Sequence, residues 1–246
     1  HFTTTISRGY SSSTYTSFNL GEYSGDLKEN VQKNRSKLAD LLEISPEQMI
    51  FPYQTHSETV RVIDQDFLRK PLQEQKKLLN EVDALITNQK EICIGVTTAD
   101  CVPVLLYDPQ KHILAAIHAG WRGTVAKITS KTVQEMINQF NCHPENIIVG
   151  IGPSICQDCF EVGDEVVGAF SESGFSIQEI GKKNPETGNY HLDLWKANKL
   201  LLQEVGIISK NIEISGLCTV THPELFFSAR RQSIKSGRMI TGGLLK

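Results

Sequence analysis

The sequence predicts a single domain of the α/β class, with mixed α+β character, in which layered mixed β-sheets are flanked by helices. Apolar runs typical of strands alternate with segments of helical periodicity along the whole chain. No segment has the composition of a linker, so residues 1–246 are predicted to form one domain. The 246 residues are also enough to bury one large hydrophobic core.

The first third of the chain is predicted to contain turns, one clear helix and one strand-like segment. Residues 3–24 are rich in Ser, Thr, Tyr and Gly, which indicates short strands and turns. Apolar residues recur at near-helical spacing over residues 27–42, which predicts an amphipathic helix. Residues 49–62 alternate as strands do, whereas residues 71–81 are polar and fit a loop or a short exposed helix.

The remaining elements alternate between strands and helices. Short apolar runs bounded by turn residues predict strands, and apolar residues that repeat with helical period predict helices. The predicted strands cover residues 84–87, 92–97, 102–107, 113–118, 147–151, 212–215 and 226–229. The predicted helices cover residues 124–140, 162–170 and 194–205. Residues 181–189 contain two glycines and a proline and predict a surface loop.

Composition and charge favour a protein with small-molecule partners. The 25 Lys and Arg residues against 28 Asp and Glu give a net charge of −3, which lacks the basic footprint of a nucleic-acid binder. The longest apolar stretches are far shorter than the roughly 20 residues that span a bilayer. Six irregularly spaced cysteines are typical of reduced thiols, so we expect a cytoplasmic protein.

Three polar groups interrupt the apolar pattern in the first half of the chain. Residues 97–101 and 118–123 each follow a predicted buried strand, and residues 54–57 place His56 between two hydroxyl residues. Loops at strand ends can meet over one crevice, so Cys101 and His118 are candidates for neighbours in space. From spacing alone, a histidine satisfied within a turn is the simpler interpretation of His56 and a buried free thiol that of Cys101, whereas His118 fits a structural or a functional role.

If His56, Cys101 and His118 converge, they form the donor set of a catalytic zinc site with one open position. One thiolate and two neutral imidazoles around Zn²⁺ leave the site at about +1, enough to acidify a water or attract an anion. The sequence contains no local ligand pair such as HExxH in this set, so spacing alone supports the metal only weakly.

Other motifs carry weaker signals. Cys156-Gln157-Asp158-Cys159 has no second pair at zinc-ribbon spacing, so loop packing is the simpler interpretation. The Gly150–Ser154 segment lacks the third glycine of a dinucleotide-binding fingerprint. Gly120–Gly123 precedes a predicted helix and, with Arg122, fits either an anion site or a simple tight turn.

Several of these motifs together resemble one protein family over nearly the whole chain. They are Gln54-Thr55-His56-Ser57, Asp83-Ala84-Leu85-Ile86-Thr87, Thr98-Ala99-Asp100-Cys101, His118-Ala119-Gly120-Trp121-Arg122-Gly123 and Gly152-Pro153-Ser154-Ile155. Ser17–Gly21 with Asn34-Arg35 looks like the family's opening motif, and Phe226–Arg231 with Gly237-Arg238 looks like its closing motif. The family is the laccase-domain or multicopper polyphenol oxidase-like family, also known as zinc-type purine nucleoside phosphorylase and as peptidoglycan editing factor.

The resemblance implies a zinc ion on His56, Cys101 and His118, in a pocket where phosphate cleaves purine nucleosides and adenosine is deaminated. Adenosine and inosine are the implied substrates, with methylthioadenosine as a further candidate. In this interpretation Cys101, His118 and Asp100 are catalytic, and an acidic side chain such as Asp100 or Asp83 moves the proton in deamination. The residues expected to bind substrate or phosphate are Asn19, Arg35, Gln54, Asp83 and Arg122.

Other classes of function remain open at this stage. A metal-free hydrolase would use Cys101 as nucleophile and His118 as base on a cell-wall precursor, and a zinc hydrolase on the same precursors is a related alternative. A non-enzymatic metal-binding role is a third. A copper-dependent polyphenol oxidase is disfavoured, because the seven histidines include no His-x-His pair. The expected partners are a purine nucleoside and inorganic phosphate, without nucleic acid or membrane, for a monomer or small homo-oligomer.

Overall fold

The computed structural model describes all 246 residues and contains strands and helices in alternation. The strands are β1 (Phe2–Thr3), β2 (Met49–Ile50), β3 (Val60–Ile63), β4 (Ala84–Thr87), β5 (Cys93–Thr98), β6 (Val102–Asp108), β7 (Ile113–Ala119), β8 (Ile148–Ile151), β9 (Glu161–Val162), β10 (Gly181–Lys183), β11 (Tyr190–Leu192), β12 (Ile212–Ile214) and β13 (Met239–Leu244). The α-helices are α1 (Lys28–Leu42), α2 (Gln65–Leu68), α3 (Leu72–Leu78), α4 (Trp121–Val125), α5 (Ile128–Phe140), α6 (Asp164–Glu172), α7 (Ile177–Ile180), α8 (Leu194–Glu204) and α9 (Ala229–Gln232).

The strands form three sheets. The largest has six strands in the order β12-β8-β6-β7-β4-β3, with its two outer pairs parallel and its inner pairs antiparallel. A four-stranded sheet has the order β1-β13-β5-β2, and a three-stranded antiparallel sheet has the order β10-β11-β9. The predicted mixed α/β class with layered mixed sheets is confirmed. No helix in the structure combines the length and the apolar character needed to cross a membrane.

The core has two layers because side chains of a strand alternate between the faces of the sheet. In β7, Ile113, Ala115 and Ile117 join a large cluster that includes buried residues of α5, α6 and α8. Leu114 and Ala116 point to the opposite face and pack with Ile94 and Val96 of β5. The six-stranded sheet is therefore covered by helices on one face and by the four-stranded sheet on the other.

Most predicted elements lie where the sequence placed them, with small shifts of their ends. Residues 71–81 contain a short helix, α3, which is one of the two alternatives. Residues 49–62 are two strands, β2 and β3, separated by the loop that carries His56. The helix predicted over residues 124–140 is divided, because Lys127 has a φ of +60° and separates α4 from α5.

In the C-terminal half of the chain, one predicted strand and one predicted loop are wrong. Residues 226–229 are not a strand: Ser228 caps helix α9 by accepting a hydrogen bond from the Arg231 N–H, at 3.2 Å. Residues 181–189 are not entirely loop, because Gly181–Lys183 forms β10 and pairs with β11 in a hairpin. This short strand lacks an apolar pattern because it contains the positively charged Lys182 and Lys183, so its sequence does not predict a strand. Its partner strand, β11, contributes the buried Leu192.

Strand β13 has no counterpart among the predicted elements, although it pairs with β5 along its whole length. Its sequence, Met239-Ile240-Thr241-Gly242-Gly243-Leu244, contains two glycines and lacks the apolar pattern of a strand. Gly242 is required by close packing, since a Cβ atom there would lie 2.4 Å from the carbonyl oxygen of Ile94. Tertiary contact therefore selects a residue that local propensity disfavours.

Candidate metal centre

Strand register brings three of the predicted site residues, Asp83, Cys101 and His118, together at one end of the six-stranded sheet. Val102 of β6 pairs with Ala119 of β7, so Cys101 lies opposite Gly120. Ala84 of β4 pairs with Ile117 of β7, so Asp83 lies beside His118, whose N–H donates to the Asp83 carbonyl at 2.8 Å. The alternation of side chains turns His118 toward the four-stranded sheet, as it does Leu114 and Ala116.

Three side chains of types that can bind a metal ion meet in this seam between the two sheets. His56, Cys101 and His118 each offer a ligand atom, and these atoms all lie within 4.8 Å of one another. The His56 Nε2 atom is 3.7 Å from the Cys101 Sγ atom, and the two imidazole rings are 4.9 Å apart, edge to face. His118 is buried, Cys101 is half-buried and His56 is exposed, so the cluster is open to solvent on one side.

Asp83 is fully buried, and its carboxylate is the hydrogen-bond acceptor that organises the cluster. Its carboxylate accepts hydrogen bonds from the backbone N–H groups of Thr55, His56 and Ser57, at 3.1, 3.1 and 2.8 Å, and from the Ser57 hydroxyl at 2.8 Å. The same carboxylate accepts a hydrogen bond from His118 Nδ1 at 2.6 Å. One side chain therefore holds the His56 loop, where His56 has a φ of +63°, and orients the imidazole of His118.

The electrostatics of the cluster favour charged forms. Burial opposes ionisation of Asp83, but hydrogen bonds from His118 and Ser57 outweigh it and hold the pKa of this carboxyl below its usual value. Burial likewise opposes charge on Cys101, yet His118 and His56 lower the pKa of its thiol to about 6. Burial lowers and Cys101 and Asp83 raise the pKa of His118, to about 9 overall. The thiolate that binds metals is therefore the stable form of Cys101 at neutral pH.

Gly120 gives the cluster its space. A Cβ atom at this position would lie 2.9 Å from His56 Cδ2 and 3.0 Å from Cys101 Sγ. Its φ of −65° is open to any residue, so the glycine is needed for the close approach of the ligands rather than for backbone freedom. The sequence motif contains this glycine, but the reason for it is visible only in three dimensions.

The donor set fits a zinc ion. Tetrahedral Zn²⁺ with one sulfur and one nitrogen ligand places those two atoms about 3.6 Å apart, close to the observed separation of Cys101 Sγ and His56 Nε2. Asp83 engages His118 Nδ1, which leaves His118 Nε2 as the free donor. Two imidazoles and a thiolate leave the fourth position of the tetrahedron without a protein ligand, as in catalytic zinc sites.

Two predicted substrate-binding residues have their polar groups occupied within the protein. Gln54 donates to the carbonyl of Thr97 at 2.9 Å and accepts from its N–H and hydroxyl, at 2.8 and 2.9 Å. Asn19 is fully buried and binds the side chains of Ser24 and Asp26 and the backbone N–H groups of Gly21 and Arg238. These contacts favour positioning roles for both residues.

The predicted arginines differ in their surroundings. Arg35 donates to the Leu20 carbonyl at 3.1 Å, pairs with Glu22 at 2.9 Å and lies over the ring of Phe51. Burial lowers the pKa of Arg35, and Glu22 opposes this shift. Arg122 is exposed and stacks on Trp121, with its guanidinium carbon 4.2 Å from the ring centroid. Arg122 follows Gly120 by two residues and lies at the start of α4.

Asp100 holds three segments of the chain together beside Cys101. Its Oδ1 atom accepts a hydrogen bond from the Thr219 hydroxyl at 2.6 Å, and its Oδ2 atom accepts from the Ser228 hydroxyl at 3.0 Å and the Arg230 N–H at 2.6 Å. Asp100 also has a φ of +85°, a strained conformation for a residue with a side chain. This arrangement favours a role in positioning Cys101 over proton transfer.

Arg238 is a further cation beside the cluster. Burial lowers the pKa of Arg238, while the negative charges of Cys101 and Asp100 oppose the shift. Its guanidinium group donates to Ser236 and to the Gly237 carbonyl, at 2.7 to 3.0 Å. The sequence marks Arg238 only as part of the motif that closes the family resemblance, because nothing local shows that the C-terminal strand β13 returns to the end of β5 near Cys101.

Comparisons with known proteins show the family to which the chain belongs. The model of the family described as multi-copper polyphenol oxidoreductase laccase matches residues 1–246. The chain belongs to this family. It is 43% identical over 242 residues to a protein of Bacteroides thetaiotaomicron named purine nucleoside phosphorylase, covering 98% of this chain and 90% of the relative.

A second relative and a solved structure extend the comparison. The protein named adenosine deaminase RL5, from an unknown prokaryotic organism, is 45% identical over 241 residues, covering 98% of this chain and 92% of the relative. The crystal structure of the Bacillus licheniformis hypothetical protein YfiH superimposes with a TM-score of 0.92 at 32% identity, covering 99% of this chain and 91% of that chain. Both named relatives are enzymes, and their names describe chemistry on nucleosides.

Proposed function

We propose that this protein is a zinc-dependent purine nucleoside phosphorylase that also deaminates adenosine. The observation that carries the proposal is the convergence of His56, Cys101 and His118 around one open position, with Asp83 orienting His118. The relatives named purine nucleoside phosphorylase and adenosine deaminase, at 43% and 45% identity over nearly the whole chain, support the two reactions.

The roles of the chain's own residues follow from their contacts. His56 Nε2, Cys101 Sγ and His118 Nε2 would hold the zinc ion, and Asp83 keeps His118 in the tautomer that presents Nε2. When bound, zinc supplies a Lewis acid that polarises or orients the nucleophile. Asp100 fixes the turn before β6 and thereby the position of Cys101.

The charge of the site suits an anionic co-substrate. Zinc with one thiolate and two neutral imidazoles leaves about one positive charge in the seam. Arg35, Arg122 and Arg238 are the cations proposed to neutralise phosphate as it attacks the anomeric carbon of the ribose. Arg122 is the most available of the three, because it is exposed and makes no ion pair, whereas Arg35 pairs with Glu22 and Arg238 donates to the carbonyls of Ser236 and Gly237.

The compartment, the domain organisation, the partners and the choice of ion complete the proposal. All six cysteines are free, and a thiolate ligand requires a reduced thiol, which supports a cytoplasmic enzyme. The family model spans residues 1–246, which supports a single domain. The partners are a purine nucleoside and inorganic phosphate. Copper is the less suitable ion, because only His56 and His118 among the seven histidines share a cluster.

Product analysis tests the proposal. Zinc-loaded protein is incubated with adenosine or inosine, with and without phosphate, and the products are separated by chromatography. We expect free base and ribose 1-phosphate only when phosphate is present, and ammonia from adenosine. Cys101→Ala should abolish these products, whereas Cys93→Ala, which removes a buried thiol outside the cluster, should retain them. Bound zinc without either product would refute the nucleoside assignment and make cell-wall peptides the next substrates to test.

A further inference from the structure

A second group of sulfur ligands lies outside the candidate metal centre. The Sγ atoms of Cys156, Cys159 and Cys218 all lie within 4.8 Å of one another, and none is part of a disulfide. The sequence shows only an isolated Cys-x-x-Cys pair, because Cys218 is distant along the chain. The fold adds the third thiol.

Backbone pairing brings these cysteines together. Cys156 is the N-cap of a single 3₁₀ turn, Gln157–Cys159, whose last residue is Cys159, and Cys218 lies in the segment after β12. Ser154 and Cys218 form a β-bridge, in which the Ser154 N–H donates to Leu217 and the Thr219 N–H donates to Ser154, at 3.2 and 3.1 Å. The Cys156 N–H also donates to Cys218 Sγ at 3.3 Å. The three sulfurs are therefore held in place by the main chain before any ion binds.

Two arginines place positive charge next to this cluster. Arg230 donates to the carbonyl of Cys159 at 3.2 Å, and Arg231 donates to the carbonyls of Thr219 and Val220 at 3.0 Å. Both segments that carry the cysteines are thus bound by a guanidinium group. Three thiolates around a divalent ion carry about one net negative charge, which these arginines would offset.

We propose that Cys156, Cys159 and Cys218 form a second metal site for a thiophilic closed-shell cation, Zn²⁺ or Cu⁺. Thiolates select these soft ions over oxygen-preferring cations. With metal–sulfur bonds of about 2.3 Å, the sulfurs of a tetrahedral site lie about 3.8 Å apart, so binding needs shifts of about 1 Å or less. Cys156 and Cys159 are only partly buried, which leaves a path for the ion.

An ion at the second site would stabilise the geometry of the first site through Asp100. The Ile155 N–H donates to the Asp100 carbonyl at 2.9 Å, and the Thr219 hydroxyl donates to the Asp100 carboxylate at 2.6 Å. Each contact comes from a residue next to a cysteine of the cluster. An ion at this site fastens the two segments to each other and stabilises the turn that carries Cys101. Its role is structural and does not depend on the proposed reaction.

Metal titration tests the proposal. Reduced, metal-free Cys101→Ala protein lacks the sulfur of the first centre and is titrated anaerobically with Co²⁺ as a spectroscopic probe for zinc, and in a separate arm with Cu⁺. We expect about one ion per chain with an intense sulfur-to-metal charge-transfer band in at least one arm. Adding Cys159→Ser should remove that band, whereas adding Cys93→Ala should leave it unchanged.

The same substitutions in the otherwise unchanged chain show whether loss of binding reflects loss of folding. With the metal of the arm that shows the band, bound metal should fall by about one ion per chain in Cys159→Ser and in Cys156→Ser, with the zinc ion at Cys101 retained. Retention of that ion identifies a folded variant. Absence of charge transfer in both arms, or a band that persists in Cys159→Ser, would overturn the second site.

Discussion

Asp83 supports both candidate histidine ligands, because its carboxylate accepts hydrogen bonds from the His56 backbone N–H and from the His118 imidazole. Asp83→Asn keeps the size of the side chain but removes the charge that holds Nδ1–H of His118. Loss of such an outer contact typically weakens metal binding about 10- to 100-fold. Zinc affinity, measured by competition with a chromophoric chelator, should fall by this amount, while the exposed control Asp66→Asn should not change. Equal affinity for Asp83→Asn and the unaltered protein would show that Asp83 has no such role.

Gly120 permits a second prediction at the same scale. In Gly120→Ala the new methyl group would lie 2.9 Å from His56 Cδ2, closer than Cβ atoms normally approach another atom, and 3.0 Å from Cys101 Sγ, so one of these side chains must move. We expect reduced zinc affinity together with a loss of roughly 1–3 kcal/mol in the free energy of unfolding, the usual cost of overpacking. Gly150→Ala is the matched control, because a Cβ atom there has no neighbour within 4 Å. A zinc affinity of Gly120→Ala equal to that of Gly150→Ala would contradict this account.

At the scale of single residues, sequence motifs locate the site but not the reasons for its geometry. His56, Cys101 and His118 follow from motif resemblance, and the structure brings their ligand atoms together. The space-giving role of Gly120 and the position of Arg238 depend on contacts between residues distant in sequence. Asn19 and Gln54 illustrate the reverse, since polar residues in a motif can serve the fold rather than the substrate.

The loop between β2 and β3 is the element that determines whether His56 reaches the other ligands. Gln54 attaches this loop to the end of β5 through three hydrogen bonds to Thr97. Gln54→Ala should lower the free energy of unfolding by about 1–3 kcal/mol, because Thr97 loses three partly buried hydrogen bonds to Gln54, and should weaken zinc binding. Gln139→Ala, on the exposed side of α5, provides the control in both chelator competition and thermal unfolding. Unchanged zinc affinity in Gln54→Ala would show that the loop holds its position without this contact.

The accuracy of the predicted elements follows the strength of local pattern. Strands β4 to β7 are buried apolar runs and are found close to their predicted limits. Strand β13 has a glycine-rich sequence that packs closely against β5. Local propensity does not predict this strand, because the contact with β5 joins residues distant in sequence. Residues 226–229 look like a strand by composition, but Asp100 and the Ser228 cap impose another conformation.

At the scale of the whole molecule, the candidate metal centre lies between the two main sheets and is proposed to join them. Cys101 and His118 belong to the six-stranded sheet, whereas Gln54 connects the His56 loop to the four-stranded sheet. A ligand that binds only the folded state at 100 times its dissociation constant adds about 2.7 kcal/mol of stability. Removing zinc with a chelator should therefore lower Tm by several degrees, and adding zinc should restore it. A Tm that is indifferent to zinc would contradict the proposed joint between the sheets.

The central claim is that zinc held by His56, Cys101 and His118 enables phosphorolysis of a purine nucleoside. The most direct test is the initial rate at which metal-free protein releases base from inosine in the presence of phosphate, before and after zinc is restored. The account predicts a negligible rate without zinc, recovery on its addition, and no recovery in Cys101→Ala. Equal rates with and without zinc, or full activity in Cys101→Ala, would contradict it.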